Sequence, residues 1–188
     1  MATERYRRKS LHRFLRLLLA AVSIGMVPQL YCAAADAKPE YAVKAAFLLN
    51  FTKFVEWPPS VFERSDSPLT VCVLGDDPFG KLLDQVVEGE AVSGHKLLVE
   101  RIGRSPVPKT CRVLFVSKSE KGTPEILSGL GPGVLTVGDG DTFLREGGAI
   151  AFVIEDRRIR FDINLRAATR ASLSLSARLL NVARTVQR

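Results

Sequence analysis

The chain has 188 residues, of which 46% are hydrophobic and 25% charged, a composition typical of globular rather than disordered or fibrous proteins. Its formal net charge of +7 comes from 27 basic and 20 acidic residues. Residues 1–37 hold 6 of the basic and 2 of the acidic ones, so residues 38–188 carry only +3. The small net positive charge of residues 38–188 therefore gives no reason to expect a nucleic-acid partner.

The first 37 residues are predicted to be a secretory signal peptide. Residues 1–16 carry six basic side chains, residues 17–30 are uncharged, and a stretch of small residues follows. This order is typical of export signals, and an apolar run of about 14 residues is short of the ~20 that span a membrane. Cleavage is expected after Ala35 or Ala37, which leaves residues 38–188 as one exported domain outside the cytoplasm. An uncleaved N-terminal anchor is the alternative.

The two cysteines of residues 38–188 are predicted to form a disulfide. Cys32 leaves with the signal peptide, and Cys72 and Cys111 remain. An even number of cysteines in an oxidising compartment favours a bridge. Two buried free thiols are the alternative.

Apolar runs with β-strand character alternate with helical segments along residues 38–188. Pro58 and Pro59 are expected to end the first helix, and Asp77 to cap the second, with Pro78 in its first turn. The expected helices are residues 39–57, 79–87, 123–130 and 167–187, with one helical turn at 141–145. The expected strands are residues 69–75, 96–102, 111–117, 134–137, 149–155 and 158–164.

The order of these elements predicts an α/β fold. Strands that alternate with helices form βαβ units, in which a parallel sheet is covered by helices on both faces. We therefore expect a Rossmann-like three-layer sandwich with a mostly parallel sheet of about six strands. The last two strands, separated by two residues, predict an antiparallel hairpin, and a terminal helix follows. Cys72 and Cys111 lie on predicted strands, which is consistent with a bridge between neighbours.

Residues suited to catalysis or metal binding are few. His95 is the one histidine beyond residue 37, so a hydrolase would have to use it, and a single histidine cannot begin a zinc site. Residues 75–80 join a strand to a helix, where anions often bind, but Asp76 and Asp77 would repel an anion. A structural turn is the favoured interpretation of this segment. No cofactor and no metal are expected.

Two groups of polar residues are candidates for a ligand or partner surface. One surrounds the end of the first helix, and the other lies on and after the last strand. Alternation along that strand places its polar residues on the face opposite Ile159 and Phe161. A solvated strand face is the alternative. The candidates are Asn50, Lys53, Trp57, Arg158, Arg160, Asp162, Asn164 and Arg166.

The chain resembles the YfiR family of periplasmic proteins over about 145 residues. The resemblance rests on the opening segment YAVKAAFLLNFTKFVEWP (residues 41–58), on LTVCVLGDDPFG (69–80), on CRVLFVS (111–117), and on the closing segments GGAIAF (147–152) and RFDINL (160–165). The first and last of these motifs are specific in combination. Cys72 and Cys111 match one disulfide of the family, whereas a second cysteine pair near residues 143–152 is absent.

The resemblance implies a periplasmic repressor without catalytic activity. Such a protein binds the periplasmic sensor domain of an inner-membrane diguanylate cyclase and holds down the synthesis of cyclic-di-GMP. An outer-membrane lipoprotein that sequesters it and a homodimeric state are implied as well. A periplasmic small-molecule sensor or transport accessory protein is the alternative, with its ligand near Trp57 or Arg160.

Overall fold

A central β-sheet flanked by helices forms the domain. The structure, a computed structural model, describes residues 38–103 and 106–188. The predicted signal peptide, residues 1–37, therefore lies outside the described residues. The helices are α1 (Pro39–Phe54), α2 (Lys81–Val87), α3 (Thr123–Ser128), α4 (Thr142–Arg145), α5 (Leu165–Arg170) and α6 (Ala177–Val182). The strands are β1 (Val55–Glu56), β2 (Leu69–Leu74), β3 (Ala91–Val92), β4 (His95–Ile102), β5 (Cys111–Val116), β6 (Leu135–Asp139), β7 (Ile150–Glu155), β8 (Arg158–Asn164), β9 (Ser174–Leu175) and β10 (Thr185–Gln187).

The main sheet has eight strands in the order β10-β8-β7-β6-β5-β2-β4-β3. The five strands β7, β6, β5, β2 and β4 are parallel, β8 and β3 pair antiparallel on either side of them, and β10 lies parallel to β8 at the edge. Every residue of β2 and β5 is buried, as expected for central strands covered on both faces. A mixed α/β fold with a mostly parallel sheet is thus confirmed, although the sheet is wider than the six strands expected.

Hydrophobic residues pack on both faces of the sheet. On one face, α1 and α2 contribute Phe51 and Leu83 to a cluster that includes Val73 and Phe115. On the other face, residues of α3 and α4 pack against a smaller cluster around Cys72. Helices on both faces explain why the central strands are continuous apolar runs without alternation.

The hairpin predicted near the C-terminus is confirmed. β7 and β8 pair antiparallel, with Phe152 opposite Phe161. Asp156 and Arg157 form the two-residue turn with φ of 48° and 61°, the left-handed conformation that such a turn requires at both positions. Glycine is therefore not needed here, because aspartate tolerates this region better than most residues.

The long helix predicted over residues 167–187 is wrong. Within it the chain forms α5, β9, α6 and β10 in succession. Ser172 has a φ of 61°, which ends α5, and β9 then pairs with β1. The Ser176 side chain accepts a hydrogen bond from the Leu179 amide at 3.2 Å and caps α6. Serine side chains compete for backbone hydrogen bonds and so weaken a continuous helix over this segment. The strands with which β9 and β10 pair then determine where the helix is interrupted.

The first helix is also shorter than expected. α1 ends at Phe54, because Val55 and Glu56 leave the helix to pair with β9. Its buried face contains Lys44 and Leu48, whereas Val43 is 47% exposed. An apolar residue of α1 therefore lies in solvent, and a lysine takes a place in the interior instead.

Cys72 and Cys111 form the predicted disulfide. They lie on the neighbouring parallel strands β2 and β5, and their Cα atoms are 6.0 Å apart. Both residues are fully buried in the smaller of the two hydrophobic clusters. The bridge therefore joins the two central strands at a place that solvent does not reach.

The turn after β2 is structural, as the sequence favours. Asp77 Oδ1 accepts hydrogen bonds from the amides of Phe79 (2.8 Å) and Gly80 (3.2 Å). Arg101 of β4 binds the same aspartate, with Nε 2.7 Å from Oδ2, and donates to the Gly80 carbonyl at 2.7 Å. Helix α2 consequently starts at Lys81, two residues later than expected. Gly80 is the residue that precedes α2 and Pro78 lies outside the helix, so the prediction that Asp77 caps it is wrong. The Asp77 carboxylate is instead paired with Arg101.

Arg101 also forms a two-point contact with Asp84 of α2, and this contact has a predictable pH dependence. Hydrogen bonds from Arg101 lower the pKa of Asp84, against an opposing effect of burial. A lowered carboxyl pKa stabilises the fold above the unfolded value of about 3.9, and the contribution is lost as the pH falls through the folded value.

We expect Arg101→Gln to reduce the free energy of unfolding by about 1 kcal/mol at neutral pH, a modest value because the partners are substantially exposed. The difference from the unsubstituted protein should shrink below about pH 4. Urea unfolding from pH 7 to pH 3 measures it. Arg64→Gln, which removes an ion pair on residues more than two-thirds exposed, is the control and should change little at any pH. A deficit of Arg101→Gln that is constant with pH would contradict the assignment.

Candidate functional site

The eight residues predicted for a partner surface do not form one surface. Phe161 and Ile163 of β8 pack on the same face as α1, with the rings of Phe51 and Phe161 5.0 Å apart. Alternation therefore directs Arg160 and Asp162 to the other side of the sheet. The sheet therefore separates the α1 group from Arg160 and Asp162, whereas Arg166 lies on α5, whose Ala167 and Ala168 pack in the same cluster as α1.

Within the α1 group, each side chain has a different environment. Asn50 is exposed on the helix. Lys53 pairs with Glu90 at 2.9 Å on the surface, and both side chains are more than one-third exposed. The indole Nε1 of Trp57 donates to the Gly133 carbonyl at 3.1 Å. Trp57 is thus a partly buried residue that joins the end of α1 to the amino end of β6.

Two of the β8 residues have structural partners. Asp162 is 3% exposed, and Arg184 binds it through two hydrogen bonds, one of 2.8 Å from Nε. These hydrogen bonds raise the pKa of Arg184. Asn164 caps α5 by accepting a hydrogen bond from the Ala167 amide at 3.1 Å. Asp162 therefore fixes Arg184 and Asn164 fixes the start of α5, so both offer little to a partner.

Arginines dominate the C-terminal segment, residues 157–188. It contains eight arginines and one acidic residue, whereas residues 38–156 contain 13 basic and 17 acidic residues. Of the eight, Arg184 alone forms ion pairs with carboxylates among the described residues. Arg166, Arg170 and Arg188 line one shallow depression beside α5. This end of the chain has a positive surface suited to an acidic partner.

A buried ion pair that was not predicted joins α1 to β6. Lys44 is 3% exposed, and its Nζ lies 2.8 Å from Asp139 Oδ1 and 3.5 Å from Glu40 Oε1. The Tyr41 hydroxyl donates to Asp139 Oδ2 at 3.1 Å, and burial together with Asp139 raises the pKa of Tyr41. Two features of the sequence could have indicated this ion pair: Lys44 lies within the apolar face of a predicted helix, and Asp139 lies at the end of an apolar strand.

Arg112 of β5 is a second buried cation, and its environment is different. The register between β2 and β5 shifts beside Thr70, and Arg112 has no partner across this step. It is 8% exposed. Its Nη1 donates to the carbonyls of Lys109 (2.9 Å) and Cys111 (2.8 Å), and its Nη2 donates to the carbonyl of Val61. All of these acceptors are neutral.

No carboxylate of the described residues forms an ion pair with Arg112, and its Nε has no hydrogen-bond partner among them. Burial lowers the pKa of Arg112, and the charge of Glu63 opposes this only in part. The guanidinium carbon lies 5.4 Å from the centre of the Phe62 ring. A guanidinium normally has a carboxylate or phosphate partner when it leaves water, so this one is incompletely compensated.

Arg112 lies on the wall of a groove of about 830 Å³, which we call the Arg112 groove. The groove opens between the turn after α1, the segment before β5 and the loop between α3 and β6. Val107, Ile126 and Leu130 form an apolar part of its wall and pack against the smaller core cluster. Its lining comprises Ser60, Val61, residues 106–109, Arg112, Glu125, Ile126, residues 129–132 and Val134.

His95 occupies a packed position. Its Nδ1 lies 2.7 Å from the Ser67 carbonyl oxygen, and its ring stacks on Phe62 with 3.8 Å between ring centres. Its neighbours are thus an aromatic ring and a carbonyl. Within residues 38–103 and 106–188, no group of histidine, cysteine, aspartate and glutamate side chains is arranged to hold a metal ion. Nor does any helix in those ranges have the length and apolarity to cross a membrane.

The comparison with known families agrees with the motifs. A family profile described as YfiR/HmsC-like matches residues 41–184, most of the chain. The chain belongs to this family. No curated protein matches it. The match includes the disulfide and the Arg112 groove, and of the described strands of this YfiR/HmsC-like domain only β10 lies beyond it.

Proposed function

We propose that this protein is a periplasmic repressor that binds the periplasmic sensor domain of an inner-membrane diguanylate cyclase and lowers cyclic-di-GMP. Membership of the YfiR/HmsC-like family is the observation that carries the proposal, because proteins of this family are regulatory rather than catalytic. The predicted export signal and the disulfide are consistent with a periplasmic location. A homodimeric state and sequestration by an outer-membrane lipoprotein belong to the same proposal.

The positive C-terminal segment supports a contact surface for the cyclase. Arg158 and Arg166 are exposed, and Arg160 is partly exposed on the same strand as Arg158. None of these three arginines forms an ion pair with a carboxylate among the described residues, so their charges are available to a partner. We propose that these arginines meet an acidic patch of the sensor domain, with Asn50, Lys53 and Trp57 outside this contact, because Arg158 and Arg160 face the side of the sheet that α1 does not cover.

Cellular cyclic-di-GMP tests the repression. Deletion of the gene should raise cyclic-di-GMP, and the rise should vanish when the membrane cyclase that the protein is proposed to repress is deleted as well. A rise that persists without the cyclase, or no rise in any strain, would contradict repression of that enzyme. The absence of a rise in any strain would favour a ligand sensor instead.

Charge reversal tests the contact surface separately from the function. Arg160→Glu and Arg166→Glu should each derepress the cyclase and raise cyclic-di-GMP toward the level of the deletion. Lys96→Glu is the matched control, since this exposed lysine lies on β4 near the opposite edge of the sheet. Thermal melting of each purified variant establishes that it is folded. Full repression by folded Arg160→Glu and Arg166→Glu would exclude the surface while leaving the repression itself intact.

A further inference from the structure

Arg112 has hydrogen-bonding capacity that the protein does not use. A guanidinium has five N–H donors in a fixed planar arrangement. Three hydrogen bonds go to backbone carbonyls, from Nη1 to Lys109 and Cys111 and from Nη2 to Val61. The Nε–H is one of the two donors that remain without an acceptor in the described part of the chain.

The charge of Arg112 is also incompletely balanced. Backbone carbonyls offer only partial negative charge, and the Phe62 ring adds a weak cation–π contact. The guanidinium is held rigidly by these bonds, so it is oriented before any ligand arrives. An oriented guanidinium whose charge no carboxylate balances favours an anionic group beside it, although its Nε is itself too deeply buried to reach a ligand.

The walls of the Arg112 groove indicate what such an anion would carry. Its volume of about 830 Å³ lies within the range of small-molecule sites. Val107, Ile126 and Leu130 supply apolar wall, and Lys109 adds a second cation, against one carboxylate from Glu125. An apolar molecule with one acidic head group satisfies both the apolar wall and the excess of positive charge.

We propose that the Arg112 groove binds a small organic carboxylate, with its head group between Arg112 and Lys109 and its apolar body against Val107, Ile126 and Leu130. The groove lies apart from the arginines of β8, so its occupant does not compete directly with the proposed partner surface. Binding here would be observed whether or not the protein represses a cyclase.

Isothermal titration calorimetry on the purified protein tests the proposal with three probes. 4-Phenylbutyrate carries an apolar body and a carboxylate, 4-phenylbutanol carries the same body without the charge, and inorganic phosphate carries charge without the body. We expect saturable binding of 4-phenylbutyrate and an affinity about tenfold or more weaker for each of the other two. Equal affinities for the acid and the alcohol, tighter binding of phosphate, or no binding of 4-phenylbutyrate would each overturn the proposal.

Two variants locate the binding. Arg112→Gln should weaken 4-phenylbutyrate about tenfold or more, because it removes the charge and the planar donors. Lys109→Glu tests the same groove at an exposed residue whose side chain forms no ion pair or hydrogen bond with the described residues, and should also weaken binding about tenfold. Lys118→Glu makes the same charge change just beyond the other end of β5, and should leave the affinity within about twofold. Unchanged affinity in Lys109→Glu, or an equal loss in Lys118→Glu, would overturn the assignment to this groove.

Discussion

Replacement of Cys72 and Cys111 together by alanine is expected to lower the free energy of unfolding by about 4 kcal/mol. The two cysteines are 39 residues apart in sequence, and the bridge restricts the unfolded chain to a closed loop of that size. The chain-entropy relation gives about 4 kcal/mol for such a loop. For a domain of this size the melting temperature should fall by about 10 °C. Differential scanning calorimetry of the two proteins measures both quantities.

Burial of the bridge predicts its response to reductant. Both cysteines have no exposed surface, so a reductant can attack only after β2 and β5 separate. Under native conditions, dithiothreitol should therefore leave the bridge intact for as long as the domain stays folded. The doubly substituted variant is the control, since its melting temperature should not respond to reductant. Rapid reduction of the folded protein, or an unchanged melting temperature in the variant, would contradict a structural role.

Lys44→Met is expected to destabilise the fold by about 3–5 kcal/mol, the usual cost of leaving one partner of a buried ion pair without the other. The Asp139 side chain is 2% exposed, so water cannot replace the lysine. Urea unfolding at neutral pH measures the loss. Lys53→Met makes the same change on the same helix, in an ion pair that is about 40% exposed, and should cost less than about 1 kcal/mol.

A double substitution separates the charge from the packing of the lysine. In Lys44→Met/Asp139→Asn the uncompensated carboxylate is gone, and the new amide oxygen can still accept the hydrogen bond from Tyr41. We expect this variant to recover most of the stability lost in Lys44→Met, because an uncharged pair avoids the cost of desolvation. No recovery would show that the loss comes from packing of the lysine stem, and equal stability of Lys44→Met and Lys53→Met would contradict the buried ion pair.

The disulfide and the Lys44–Asp139 ion pair both hold the elements that carry the proposed surfaces in place. The disulfide holds β5 against β2, and Arg112 follows Cys111 directly on β5. The Lys44–Asp139 pair fixes α1 to the sheet, and Trp57 then joins the end of α1 to Gly133. Loss of either would disturb the Arg112 groove as well as overall stability, so folded variants are needed for every binding test.

The central strands and the hairpin could be predicted from the sequence because their signals are local. β2 and β5 are apolar runs that end at turn-forming residues, and these patterns require burial on both faces. In the hairpin, alternation with a period of two set the pairing of Phe152 with Phe161. The pairing of Cys72 with Cys111 needed only an even cysteine count and a compartment, and the family could be inferred from motifs spread along the chain.

The tertiary structure alone decided features that depend on partners distant in the sequence. Residues 172–187 have an apolar pattern that fits a helix, but β1 and β8 offered strand partners, and those hydrogen bonds divided the segment. Lys44 could enter the interior only because Asp139, 95 positions away, provides a charge there. The candidates on α1 and on β8 were separated by the sheet between them, and Arg112 became buried among neutral carbonyl acceptors beside a shift in strand register. Local periodicity carries no information on such contacts, since each is determined by which residues the fold brings together.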